Sequence, residues 1–127
     1  MIPARILVVD DNPTNLKLVS DVLEFEGHQI LKAADAEETQ VLVQRAAPDL
    51  ILMDIALPGM DGLTLTRKLK ADKSTHHIII AALTAFAMKG DDQKAIDAGC
   101  DGYITKPIDT RKLPRQVAEL LERKSQI

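Results

Sequence analysis

Residues 5–13 read RILVVDDNP, and the change of character inside that stretch decides the fold. RILVV is apolar, rich in β-branched side chains and continuous, the pattern of a strand buried on both faces. Asp10 and Asp11 end it. Asn12 followed by Pro13 then starts a helix, with a capping side chain and a proline at the first helical position. The helix runs to Gly27, a natural stop. The unit is therefore a strand, an acidic turn and a helix.

The same grammar repeats outward from it. His28 to Ala33 reads as a weaker second strand. Asp35 and Glu38 resemble a capping box, and the helix they open ends before Pro48. DLILM (49–53) is a third strand, followed by a turn at Pro58, Gly59 and Gly62 and a helix to about Ala71. Ile78 to Leu83 is a fourth strand. A short helix from about Lys89 to Ala98 stops at Gly99, and Gly102 to Thr105 form a fifth strand. Leu113, Val117, Leu120 and Leu121 fall at helical spacing, with Pro114 either in the first turn or marking the helix's true start. Five β/α units in alternation predict an α/β fold, a parallel sheet with helices on both faces and right-handed crossovers.

Composition narrows the function. The 127 residues suit one domain; 46% are hydrophobic and 28% charged, as in a globular protein. A net charge of −3 argues against nucleic acid by bulk charge, and aromatics at 2% without Trp argue against base stacking or a ring-walled flavin pocket. One cysteine, Cys100, excludes an internal disulfide and a multi-cysteine metal site. The longest apolar run, Ile78 to Leu83, is too short for a bilayer, and the N-terminus lacks a signal-peptide layout. The expectation is a cytoplasmic protein that engages neither membrane nor nucleic acid.

In a doubly wound sheet, ligands bind at the carboxyl ends of the strands. Asp10 and Asp11 follow the first strand, Asp54 the third, Thr84 the fourth and Lys106 the fifth. Three carboxylates packed together resist ionisation. A hard divalent cation with oxygen ligands, Mg²⁺, resolves that conflict. Lys106 adds a point charge suited to phosphate, and Thr84 a hydroxyl donor. A carboxylate in that company can attack a phosphoryl donor and become an aspartyl phosphate.

VVDDN (8–12), LILMD (50–54), LPGMDG (57–62), LTA (83–85) and YITKP (103–107) occur in order at domain spacing. In these segments the chain resembles the receiver domains of two-component response regulators, over essentially its whole length. TAFAMKGD (84–91) looks like the DivK-type single-domain cell-cycle regulators. The resemblance implies a flavodoxin/CheY-like five-stranded sheet in the order 2-1-3-4-5, with residues 1–127 as a single receiver and no output domain. It implies Asp54 as phosphoacceptor, Mg²⁺ on Asp10, Asp11, Asp54 and the Ala56 carbonyl, and Thr84 with Tyr103 as a switch pair. A cis Lys106–Pro107 peptide also follows from it, as does a phosphodonor, a histidine kinase or phosphotransfer protein, docking at Leu16, Pro107 and Ile108. A downstream protein target would read the face of the fourth helix, fifth strand and fifth helix. The expected role is a signalling switch, monomeric or weakly dimeric, that assists its own chemistry without being a turnover enzyme. A receiver excised from a hybrid kinase, or a phosphorylation-independent binding module, stays open as an alternative.

Ala56 and Phe86 stand where this family tunes phosphoryl lifetime. Ala56 offers no group to orient a water, so slow self-dephosphorylation is expected. The same residue argues against a haloacid-dehalogenase-type hydrolase, which resembles this set but needs a second aspartate there. No G-x-G-x-x-G run supports a dinucleotide site.

Other residues read more plainly. His76 and His77 are adjacent, share no helix face and suit a solvated loop. Cys100 reads as a partly buried small side chain. Leu16, Leu18, Val19, Val22, Leu23 and Phe25 cover about half of the first helix at ~100° per residue. That is wider than a core stripe requires, so either the helix is broadly buried or part of the stripe docks a partner.

Overall fold

The computed structural model describes residues 3–57, 59–84 and 91–125. Their elements alternate strictly: β1 (Arg5–Val9), α1 (Pro13–Phe25), β2 (Gln29–Ala33), α2 (Ala36–Ala46), β3 (Leu50–Asp54), α3 (Gly62–Ala71), β4 (Ile79–Thr84), α4 (Asp91–Asp97), β5 (Gly102–Thr105) and α5 (Leu113–Ser125). The strands form one parallel sheet in the order β2-β1-β3-β4-β5. The chain reverses direction across the sheet between β1 and β3, which places a crevice over their carboxyl ends.

The apolar strands are buried because both faces are covered. Ile6, Val8, Leu50, Leu52, Ala81 and Leu83 point to one side and pack with Val19 and Leu23 of α1 and Leu113, Val117 and Leu120 of α5. Leu7, Val9, Ile51, Met53 and Ile80 point to the other and pack with Val43 of α2 and Leu65 and Leu69 of α3. The alternation along each strand thus feeds two cores, one per face.

The helix ends follow the capping chemistry. Asn12 Oδ1 accepts from the amides of Thr14 and Asn15 at 2.9 and 3.1 Å. Asp35 caps α2 through Glu38 N–H at 2.8 Å. The far end of α2 carries a feature the sequence did not announce: Ala47 takes the left-handed conformation, at φ 45, a role usually given to glycine. Gly27 does the same after α1, at φ 96.

Three boundaries differ from expectation. β3 and β4 each lie one residue later than read, so Asp54 and Thr84 are the last strand residues themselves. The second strand starts at Gln29, because His28 turns inward instead and is buried. The expected turn residue Pro58, the expected start of the fourth helix at Lys89 and the lifetime residue Phe86 lie outside the described residues.

Candidate functional site

Each site residue is delivered by the end of a strand. Asp10 follows β1 and is 1% exposed. Its amide donates to Ala33 O at 3.1 Å, which continues the ladder to β2. Its Oδ1 accepts from Asn12 N–H at 2.9 Å. Asn12 holds the cap of α1, so Asp11 is not needed there and stays exposed at the rim.

Asp54 ends β3 opposite Leu83 of β4 and is 5% exposed. Its Oδ1 accepts from Ala56 N–H at 3.0 Å. The loop that follows is held tightly. Gly62 N–H donates to Ile55 O at 3.1 Å, and a Cβ on Gly62 would lie 2.2 Å from the Asp54 carbonyl oxygen. Only glycine lets α3 begin this close to the strand end.

Thr84 ends β4, buried, in register with Thr105 of β5. Its carbonyl accepts from Lys106 N–H at 2.7 Å, which fixes the backbone of the residue just past β5. The peptide from Lys106 to Pro107 is cis, as the resemblance implied. The Lys106 side chain turns back over the sheet edge, where its Nζ lies 3.0 Å from Asp10 Oδ2 and 3.3 Å from Asp54 Oδ2. Burial pushes this ammonium toward its neutral form. The hydrogen bond to Asp10 and the charges of Asp54 and Asp10 outweigh that, so its pKa lies above the ordinary lysine value.

Asp10, Asp11 and Asp54 each offer a carboxylate oxygen within 4.8 Å of the others. Three carboxylates facing one ammonium leave an excess of negative charge that a divalent cation with oxygen ligands would neutralise. The donor set fits Mg²⁺.

The remaining candidates divide. Ala56 is exposed and its side chain brings no functional group. Tyr103 lies on β5 beside Ala82, two residues before Thr105, the register partner of Thr84. Tyr103 is 48% exposed on this edge strand, so it is not a core residue. With Ile104, Gln116, Glu119 and Leu120 it lines a cleft of about 270 Å³ between β5 and α5. Pro107 is exposed beside the site. Leu16 and Ile108 are partly buried and pack against the core beneath α1 and α5, so only part of each is available to a partner. The exposed apolar side chains of α1 are instead Leu18 and Phe25.

Two polar features elsewhere had no sequence signal. Lys70 Nζ donates to Asp101 Oδ2 at 2.8 Å and to the carbonyls of Ile78 and His76 at 2.7 and 3.3 Å. His28 Nδ1 accepts from Ala4 N–H at 3.0 Å.

Comparisons with known proteins agree with this geometry. The response regulator receiver domain model matches residues 6–118. The polar-differentiation response regulator DivK of Brucella anthropi is 43% identical over 106 residues, 84% of this chain and 86% of that one. A CheY-like receiver domain protein from Methanospirillum hungatei superposes with a TM-score of 0.88 at 31% identity, covering 98% of both chains. The chemotaxis response regulator CheY4 of Vibrio cholerae gives 0.88 at 25% identity, covering 94% of this chain and 99% of that one. With its sheet order, its acidic crevice and these relatives, the chain belongs to the response regulator receiver domain family, among members similar to DivK.

Proposed function

We propose that the chain is a phosphorylation switch in which Asp54 accepts a phosphoryl group from a histidine kinase or a histidine phosphotransfer protein. One observation carries the reading: a single ammonium, Lys106 Nζ, spans two buried carboxylates, Asp10 and Asp54, with Asp11 beside them at the carboxyl edge of the sheet. Such a cluster is unbalanced for a structural ion pair and suited to a metal and a phosphoryl group.

In this reading a carboxylate oxygen of Asp54 attacks phosphorus, the P–N bond of the donor phosphohistidine breaks, and the imidazole leaves with the electron pair. Asp10, Asp11, Asp54 and the Ala56 carbonyl would hold Mg²⁺, which when bound would supply charge neutralisation for the transferring group. Lys106 exchanges part of its ion pairing for a phosphoryl oxygen. Thr84 donates its hydroxyl to another oxygen. The movement of Thr84 frees space toward which Tyr103 turns, and a downstream protein reads the altered face of α4, β5 and α5. The phosphodonor docks where α1 begins and where Pro107 is exposed, with the outer parts of Leu16 and Ile108. No helix among the described residues is long and apolar enough to cross a membrane, and a cytoplasmic setting fits such a donor.

The test is intact mass after incubation with Mg²⁺ and acetyl phosphate. One phosphoryl group should add to the wild type and none to Asp54→Ala or to the metal-free sample. Uptake by Asp54→Ala would move the acceptor elsewhere. Because Ala56 brings no group to hold an attacking water, the phosphoryl half-life should be minutes or longer. Decay within seconds in the purified protein would refute that role for Ala56.

A further inference from the structure

The turn between β1 and α1 gives three consecutive residues three different duties. Asp10 is buried, and its Oδ1 accepts from the Asn12 amide at 2.9 Å. Asp11 is exposed and offers a carboxylate oxygen to the acidic cluster. Asn12 serves the helix. Its Oδ1 accepts from the amides of Thr14 and Asn15 at 2.9 and 3.1 Å, and its carbonyl accepts from Leu16 N–H at 3.0 Å. One residue thus joins a buried carboxylate of the site to the first turn of α1.

Aspartate caps a helix as well as asparagine does, and Asp11 stands one residue before the cap. Without a capping group at position 12, Asp11 is the next side chain able to take that place. A cap at 11 shifts the start of the helix by one residue. Position 12 becomes the first helical residue, Pro13 the second and Thr14 the third. The amides of a first turn have no intrahelical partner, so a proline there breaks no bond of the helix. A cap bonds the second or third amide, and Pro13 has none to give. Thr14 N–H is then the donor for the Asp11 carboxylate, and the Asn15 amide loses its acceptor. A carboxylate swung to Thr14 is drawn away from the cluster that it shares with Asp10 and Asp54.

We propose that Asn12 is a positioning residue of the metal site: by holding the cap of α1 it reserves Asp11 for a divalent cation, while its amide holds Asp10. The proposal rests on the reading of Asp10, Asp11 and Asp54 as Mg²⁺ ligands. It deepens that reading by giving a task at the site to a side chain that turns to the helix.

An NMR titration of the isotope-labelled full chain with Mg²⁺, without phosphodonor, tests it through the amide signals of residues 10–12 and 14–15. Asn12→Ala should bind Mg²⁺ about fivefold more weakly, the equilibrium equivalent of one lost cap. Asn12→Ser keeps a neutral cap and should bind within about twofold of the wild type. Exchange of the amides with water reads the cap itself. In metal-free Asn12→Ala the Thr14 amide should be protected and the Asn15 amide should not, and Mg²⁺ should release the Thr14 amide. In the wild type both amides should be indifferent to Mg²⁺. A wild type that binds no Mg²⁺ overturns the metal reading and this proposal together. A wild type that binds, with equal affinity in Asn12→Ala, overturns the proposal alone. So does an equal loss in Asn12→Ser, or a Thr14 amide in Asn12→Ala whose exchange ignores Mg²⁺.

Discussion

Among the described residues two lysines are drawn into the molecule, and they keep opposite company. Lys70 is 20% exposed and spends its three protons on Asp101 and on two carbonyls, at His76 and Ile78. The same Asp101 oxygen also accepts from Ile80 N–H at 2.9 Å. Charge meets charge once, and backbone groups fill the rest. Lys106 is 14% exposed and faces two carboxylates, with a third beside them. The first cluster is balanced and tied to the backbone on either side of β4. The second has more negative charge than positive and is tied to side chains that can change partners. A charge cluster that serves only the fold is closed; the one at the proposed site is left short of a cation.

The strongest way to break this comparison is to remove each ammonium. Lys70→Met should cost about 2 kcal/mol in urea unfolding, since it takes the counter-charge from Asp101 and a donor from two carbonyls. Asp54 should still take up phosphate. Lys106→Met should cost a similar amount in the absence of metal, because Asp10 and Asp54 then repel without relief. Millimolar Mg²⁺ should restore much of the second loss and none of the first, as binding to the folded state adds stability by mass action. Equal response of the two variants to Mg²⁺ would erase the distinction.

His28 sharpens it from a third direction, as an interior base kept uncharged. Burial lowers its pKa below the usual histidine value, against a smaller opposing effect of Glu26. The unfolded chain therefore binds more protons than the folded one as pH falls below about 6.5. Stability should be full above that value and decline toward pH 5, with a slope of at most ~1.4 kcal/mol per pH unit. His28→Leu should flatten the decline, read as the slope of unfolding free energy against pH rather than its absolute value. An unchanged slope would place the titration elsewhere.

The smallest expected effect concerns a neutral group. Ser20 is fully buried in α1, and its hydroxyl has no hydrogen-bond partner. Ser20→Ala should raise stability by about 1 kcal/mol, as removing an unpaired buried hydroxyl does. A fall in the urea midpoint would show that the hydroxyl is satisfied in solution.

The sequence made the alternation of strands and helices legible because apolar runs and caps are local signals. Asn12, Pro13, Asp35 and Gly27 sit next to what they control. The acidic cluster was legible for a topological reason: in a parallel doubly wound sheet every strand ends at the same edge, so Asp10, Asp54 and Lys106 converge whatever the loops do. Other features depend on distance along the chain. Lys70 and Asp101 meet across separate β/α units, and no spacing rule announces them. The direction of α1 was half legible. Periodicity gave a stripe too broad for one face, but not that Leu16 turns inward while Leu18 and Phe25 turn out. Ala47 in a left-handed turn was invisible, since the following proline already explained why the helix ends.

The order of strands in space has a consequence in time. β1 lies between β2 and β3, and Lys106 arrives only after β5 has paired with β4. During synthesis at ~5–20 residues per second, the three aspartates leave the ribosome seconds before the lysine that pairs with two of them. A nascent chain cut short before β5 therefore carries like charges at one edge of an unfinished sheet, with no counter-charge of its own. The balance of charge at that edge is in this way deferred until β5 has been made.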